Sequence, residues 1–295
     1  ATLWGKAAES EASIRLGWFS AALKSRELVE SIEELRSEFA ARGLSRLVLC
    51  GMGGSSLAPE MITRTAGVDL VVLDSTHPTQ VSRAINSEID STVVVIASKS
   101  GSTAETDSHK RSFEEAFVAA GIDPVSRIVI VTDPGSPLDV SSRDAGYRVV
   151  NADPMVGGRY SALTAFGLVP TGLAGVDIDA LLNEAEAAMA ELSIDSPSNP
   201  ALVLGAAMAA QAPTTNKMLI RSGASSIVGI GEWIEQLVAE STGKDGKGVL
   251  PIVAGQGHPD TEFNDVVNVT ISDSSNHEAN SDVAVSAPLG AQILL

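Results

Sequence analysis

RLVLCGMGGSS, residues 46–56, decides the fold: an apolar, β-branched run passes directly into a glycine-rich turn, and a helical stretch opens at Leu57–Glu60. A strand that ends on glycines and feeds a helix is the opening half of a βαβ unit. The same rhythm continues with LVVLD (70–74), TVVVIAS (92–98), RIVIVTD (127–133) and YRVV (147–150), each separated by helix-like sequence. These runs are apolar throughout rather than alternating, as expected of parallel strands buried on both faces. Upstream, Glu9 to Ala41 shows helical periodicity in two amphipathic stretches joined near Lys24–Glu27.

Downstream, the Pro/Gly-rich stretch from Ala152 to Asp177 breaks the alternation, a helix is expected over 178–192, and SPSNP (196–200) punctuates the chain. A second set follows: helix near 201–211, strand 217–220, helix near 231–241, and strands 249–254 and 266–271. The expected fold class is α/β, a three-layer αβα arrangement of parallel sheets flanked by helices. It has N-terminal helices over 1–45, a first subdomain over 46–175 and a second over 176–295. The halves share no sequence-level repeat, so a duplicated architecture would rest on topology alone.

At 295 residues, 44% hydrophobic and 19% charged, the chain carries enough apolar sequence for a substantial core. A net charge of −17 with no Lys/Arg-rich run excludes nucleic acid and anionic membrane as natural partners. No apolar run approaches the ~18 residues of a membrane span, and the N-terminus lacks a signal-peptide pattern, so a soluble, cytoplasmic protein is expected. The single cysteine, Cys50, reads as a small core residue and suits a reducing compartment. The absent initiator Met and the apolar AQILL end point to a segment of a longer protein.

Four turns carry candidate chemistry. GMGGSS (51–56) lets the backbone approach an anion at a helix N-terminus, although a plain tight turn reads equally well. Its spacing departs from the dinucleotide G-x-G-x-x-G, so a nicotinamide site is the weaker alternative. SKSGSTAET (98–106) places Ser98, Ser100, Ser102 and Thr103 where hydroxyls donate to phosphate oxygens and Lys99 adds charge. Thr103 and Thr106 read equally as helix caps. GGRYS (157–161) sets the planar donor Arg159 among glycines, with a surface ion pair as the bland reading. EQLVAESTGKDGKG (235–248) puts Glu240 at a helix carboxyl end just before a glycine-rich turn, with a proton carrier as the functional reading and a solvated glutamate as the default.

In order and spacing, these four blocks resemble those of the glucose-6-phosphate isomerase (phosphoglucose isomerase) family, whose chain holds two sugar isomerase (SIS) domains. The resemblance is greater to the actinobacterial and transaldolase-fusion branch than to the animal enzymes. It implies that the two subdomains are SIS domains, the second incomplete. It implies that Gly54, Ser55 and Gly158 border the sugar, and that Ser98, Ser100 and Thr103 hold the phosphate with Lys99 beside them. It further implies Arg159 near the reacting carbons, Glu240 as catalytic base, Gln236 bordering the pocket one helical turn earlier, and a homodimer. Serine, glycine and serine at 100–102 and Thr242 depart from the family pattern, and the family's ring-opening histidine and C-terminal lysine blocks have no match. His258 and His277 are unassigned, while His77 and His109 are expected at the surface.

An aldose–ketose isomerisation through an enediol needs one carboxylate base and one cation to stabilise the enediolate. Glu240 and Arg159 have those chemistries, and neither cofactor nor metal is called for. A non-catalytic sugar-phosphate-binding module would keep residues 98–106 without needing Glu240.

Overall fold

The computed structural model describes residues 6, 9–10, 13–209, 214–222, 225–243, 246–255, 263–273 and 281–295. The chain divides into two compact units, Ala1–Asp179 and Ala180–Leu295.

The first unit is built on β1 (Arg46–Gly51), β2 (Val71–Leu73), β3 (Thr92–Ala97), β4 (Ile128–Thr132) and β5 (Arg148–Asn151). All pairings are parallel, in the order β2-β1-β3-β4-β5. The chain starts one strand in from the edge, pairs outward to β2, then crosses to β3 on the other side of β1, so the order reverses between β1 and β3. Open α/β sheets bind ligands beyond the strand carboxyl ends at such a reversal. Register runs from Arg46↔Thr92 to Gly51↔Ala97, so the turns after β1 and β3 leave the sheet at the same level.

Alternate residues feed two cores. One joins Val48, Cys50, Val94, Ile96, Ile128 and Ile130 to Ala84, Phe113, Phe117 and Leu138 of helices α3 (Pro78–Asn86), α4 (Ala104–Ala119) and α5 (Pro137–Asp144). On the opposite face, β1 and β4 pack on α6 (Ala165–Ala174), which packs in turn on α1 (Val29–Ala41) and α2 (Leu57–Ala66). Helices thus cover both faces, as the apolar strand runs require. Cys50 is fully buried, and burial pushes its thiol pKa up, which fits a core residue.

Three findings correct the sequence reading. The stretch 152–177 contains helix α6, whose residues Ala165–Gly172 are all buried and which carries Pro170 internally. A helix buried all round has no polar face, so its periodicity is invisible. His109 is buried rather than superficial, at 1% exposure, and its Nε2 lies 3.1 Å from the Ser75 carbonyl oxygen. Upstream of α1, which is the second of the two expected amphipathic stretches, the chain forms short helical turns, Gly17–Ser20, Ala21–Lys24 and Ser25–Leu28, in place of the first.

The second unit holds β6 (Lys217–Ser222), β7 (Leu250–Val253), β8 (Val266–Ser272) and β9 (Val283–Ser286), all parallel in the order β7-β6-β8-β9. That order repeats β2-β1-β3-β4 of the first unit, the topological duplication that sequence comparison of the halves did not show. Its helices are α8 (Pro200–Ala209), α9 (Ile230–Ser241) and α10 (Leu289–Leu294), with α7 (Ile178–Leu192) running across the division between the units. β9 and α10 were not foreseen. Gln211, Lys244, Asp245, His258 and His277 lie outside the described residues. Among the described residues, no helix is long and apolar enough to cross a membrane.

Candidate active site

Helix caps single out the reversal point of the first sheet. The next α-helices after β2, β4 and β5 are closed by side chains: His77 accepts from the Thr79 N–H, Ser136 from Asp139 and Thr164 from Phe166, the last after an uncapped 3-10 turn at Gly158–Leu163. The helices after β1 and β3 have no side-chain cap. Ser56 instead donates its hydroxyl to the Gly53 carbonyl at 3.0 Å. Thr103 occupies the N-cap position of α4, but its Oγ1 accepts from Ser98 Oγ at 3.1 Å. Thr103 is therefore no cap, and neither is Thr106, whose buried hydroxyl has no hydrogen-bond partner. Two adjacent helix N-termini without side-chain caps, set side by side, present N–H groups and positive dipole ends to one crevice.

The serine turn is braced from below. Gly101 has φ +67°, and a Cβ there would sit 2.8 Å from both the Leu138 nitrogen and Ser136 Oγ, so only glycine fits. That requirement accounts for the glycine between Ser100 and Ser102. Ser100 Oγ accepts from the Ser102 N–H at 3.2 Å and lies 3.0 Å from its hydroxyl. Lys99 pairs with Asp133 at the end of β4, Nζ to Oδ2 2.7 Å, and lies 3.5 Å from the Asp153 carbonyl. Asp133 was not singled out from sequence, although its place directly after a neighbouring parallel strand is the signal that marks it.

The glycine turn meets the arginine turn. A Cβ on Gly54 would fall 2.7 Å from the Gly158 carbonyl carbon and oxygen and 2.8 Å from the Arg159 nitrogen, so the two backbones are in contact. Gly158 itself faces open space. Ser55 is buried, with its N–H donating to Met52 at 3.3 Å. Arg159 is half-buried, with Cζ 5.1 Å from the Tyr160 ring centroid. The first unit thus assembles Gly54, Ser55, Gly158 and Arg159 at one turn pair, with Ser98, Ser100 and Thr103 on the adjoining strand end.

Residues 21–246, which include all these turns, match the family model of phosphoglucose isomerase. The chain belongs to the phosphoglucose isomerase family. It is 34% identical over 210 residues to a probable glucose-6-phosphate isomerase of Haloarcula marismortui, covering 70% of this chain and 48% of that protein. It is 31% identical over 245 residues to a glucose-6-phosphate isomerase of Cyanothece sp., covering 74% and 46%. The chain thus spans about half the length of these relatives. A hypothetical protein from Thermus thermophilus superposes with TM-score 0.76 at 27% identity, over 90% of this chain and 68% of that one. A glucose-6-phosphate isomerase from Chlamydia trachomatis shares the fold, with TM-score 0.76 at 22% identity over 87% and 58%.

In the second unit of this phosphoglucose isomerase family member, α9 carries Gln236 and Glu240 one turn apart. Gln236 Nε2 donates to Glu240 Oε1 at 2.9 Å, while Gln236 Oε1 is buried with no hydrogen-bond partner. Glu240 is exposed, near the carboxyl end of the helix. Thr242, which replaces the asparagine of the family pattern, ties that end down: its Oγ1 donates to Val238 O at 2.9 Å and accepts the Val249 N–H at 3.1 Å.

Proposed function

We propose that this chain carries the interconversion of glucose 6-phosphate and fructose 6-phosphate through an enediol. The family membership and the names of its relatives support the reaction class. The observation that carries the substrate class is the pair of adjacent α-helix N-termini, after β1 and β3, left without side-chain caps, while the next α-helices after β2, β4 and β5 are capped.

In this reading Ser98, Ser100, Thr103 and the first N–H groups of α4 take the phosphate, each exposed charge–dipole contact contributing ~0.3–1 kcal/mol. Lys99, braced on Asp133, fixes the loop and adds positive charge beside it. With a net charge of −17 opposing long-range attraction, affinity for a dianion comes from these short-range donors. Phosphate binding is remote from the reacting carbons and serves to orient them. Gly158 leaves open space for the sugar beside Gly54 and Ser55. Arg159 stabilises the enediolate, and Glu240, oriented by Gln236, moves the proton between C1 and C2. One carboxylate suffices, because the proton removed from one carbon is returned to its neighbour on the same face. The homodimeric, cytoplasmic form expected of the family accompanies this reading.

The test is a coupled assay in which glucose 6-phosphate formed from fructose 6-phosphate is oxidised by a dehydrogenase. It is run on this chain and on the full-length gene product, with Glu240→Gln beside each. Loss of the base lowers kcat by about 10²–10⁴-fold. Wild-type turnover in an active Glu240→Gln protein overturns the assignment.

A further inference from the structure

The guanidinium of Arg159 is laid over an aromatic ring that is itself stacked. Its Cζ is 5.1 Å from the Tyr160 centroid, and Trp18 lies against the same ring with centroids 6.0 Å and planes 25° apart. Phe19 meets Trp18 edge-on at 5.9 Å and 89°. None of these three aromatic residues belongs to the buried core; all are half-buried. Trp18 comes from the N-terminal turn Gly17–Ser20, far from Tyr160 in sequence, and its backbone is pinned beside the arginine turn. The Gly17 N–H donates to the Met155 carbonyl at 3.2 Å, and a Cβ on Gly17 would sit 2.9 Å from Met155 Cβ. Gly17 thus permits a close approach to the segment that leads directly into GGRYS.

We propose that Trp18 and Tyr160 are positioning residues that hold the Arg159 guanidinium in the plane from which it meets a developing anion. The inference rests on the role given to Arg159 above. A long side chain beside two glycines has many rotamers, and a ring face in contact with the guanidinium narrows them. An aromatic face attracts a guanidinium and fixes its plane while leaving its charge in place. Preorganised donors of this kind stabilise charge without reorganising when it forms. The N-terminal turn therefore contributes to the site through Trp18.

Two ligands that share a phosphate and differ at C1 separate positioning from packing. 6-Phosphogluconate carries a carboxylate where the enediolate forms, and glucitol 6-phosphate a neutral hydroxyl. Calorimetry on this chain gives the ratio of their dissociation constants. Arg159→Ala is expected to reduce the preference for the carboxylate about tenfold, as loss of a charge-assisted hydrogen bond does. Tyr160→Leu is expected to reduce it by about two- to fivefold, the worth of an exposed cation–π contact, with Trp18→Leu following at about twofold. Tyr160→Phe, which keeps the ring, retains the wild-type ratio, and Tyr160→Leu adds nothing in the Arg159→Ala background. A Tyr160→Leu effect equal on both ligands, or undiminished without Arg159, overturns the positioning role and leaves the role of Arg159 standing. A preference unaffected by Arg159→Ala, or no binding of either ligand, overturns the reading of the site itself.

Discussion

Gly54 and Gly158 touch backbone to backbone: a Cβ on the first would lie 2.7 Å from the carbonyl carbon and oxygen of the second. This contact joins the turn after β1 to the turn that carries Arg159, and so fixes where the arginine backbone stands relative to the sheet. Gly54→Ala must push the two turns apart. The expected cost is about 1–3 kcal/mol of unfolding free energy, as for other overpacked sites, together with weaker sugar-phosphate binding. Gly158→Ala adds a Cβ into open space and should leave stability within about 0.5 kcal/mol. Urea unfolding of the two variants checks the contrast, and equal effects would show that the contact does not constrain the turns.

The hydroxyls of Ser98 and Thr103 bond to each other at 3.1 Å while the helix behind them stays uncapped. If both face a phosphate, Ser98→Ala and Thr103→Val should each weaken glucitol 6-phosphate binding by roughly tenfold, the worth of one hydrogen bond to a charged group. Because the two share a partner in each other, the double variant should lose less than the product of the two single losses. Calorimetric titration decides, and unchanged affinity in both single variants removes the phosphate from this turn.

How much of this was legible beforehand depends on which physical signal each part leaves. The strands were legible because burial on both faces writes continuous apolar runs: TVVVIAS reads as β3 with one residue to spare. The meeting of the turns after β1 and β3 was legible because parallel strands on either side of a reversal must end together. Helix α6 was not, since a fully buried helix carrying Gly167, Pro170 and Gly172 shows neither a polar face nor favourable propensity. Its glycines are packing devices: a Cβ on Gly172 would meet Ile32 at 2.6 Å. The contact of Gly54 with Gly158, and the stack of Trp18 on Tyr160, join residues far apart in the chain, and no local pattern announces them. His109 did leave a signal, being spaced four residues from Phe113 and eight from Phe117 on one helical face, but a lone polar residue in that stripe is easily taken for surface.

Lys99 illustrates a residue whose partner alters the expected phenotype. Its ammonium is 2.7 Å from Asp133, and both side chains are only about a fifth exposed, at 22% and 21%. Lys99→Met leaves the Asp133 carboxylate without its partner and should cost about 1–3 kcal/mol of stability. Asp133→Asn keeps a hydrogen-bond acceptor for Lys99 and should cost less. If Lys99 served only the ligand, Lys99→Met would weaken sugar-phosphate affinity without moving the unfolding midpoint in ligand-free buffer, an outcome that denaturant titration would show at once.

His109 sets a pH dependence whose direction follows from its surroundings. The ring is buried, its Nε2 donates to the Ser75 carbonyl, and its Nδ1 has no hydrogen-bond partner. Burial lowers its pKa, and the opposing influences of the Ser75 carbonyl, Glu105 and Asp74 do not restore it. The native state therefore holds fewer protons on this ring than the unfolded chain once pH falls below the free imidazole value of about 6.5. Its contribution to stability is present in full above that value and is lost as pH falls from there toward the lowered native pKa. Unfolding free energy measured in urea at pH 8, 7, 6 and 5 should fall across the acidic half of the series. His109→Asn, whose amide can donate to Ser75 without titrating, should lose stability at pH 8 but show a shallower fall below pH 6.5. Each unit by which the native pKa is depressed corresponds to about 1.4 kcal/mol of that difference. A gap between wild type and variant that stays constant from pH 8 to pH 5 would mean that the buried ring does not titrate with unfolding.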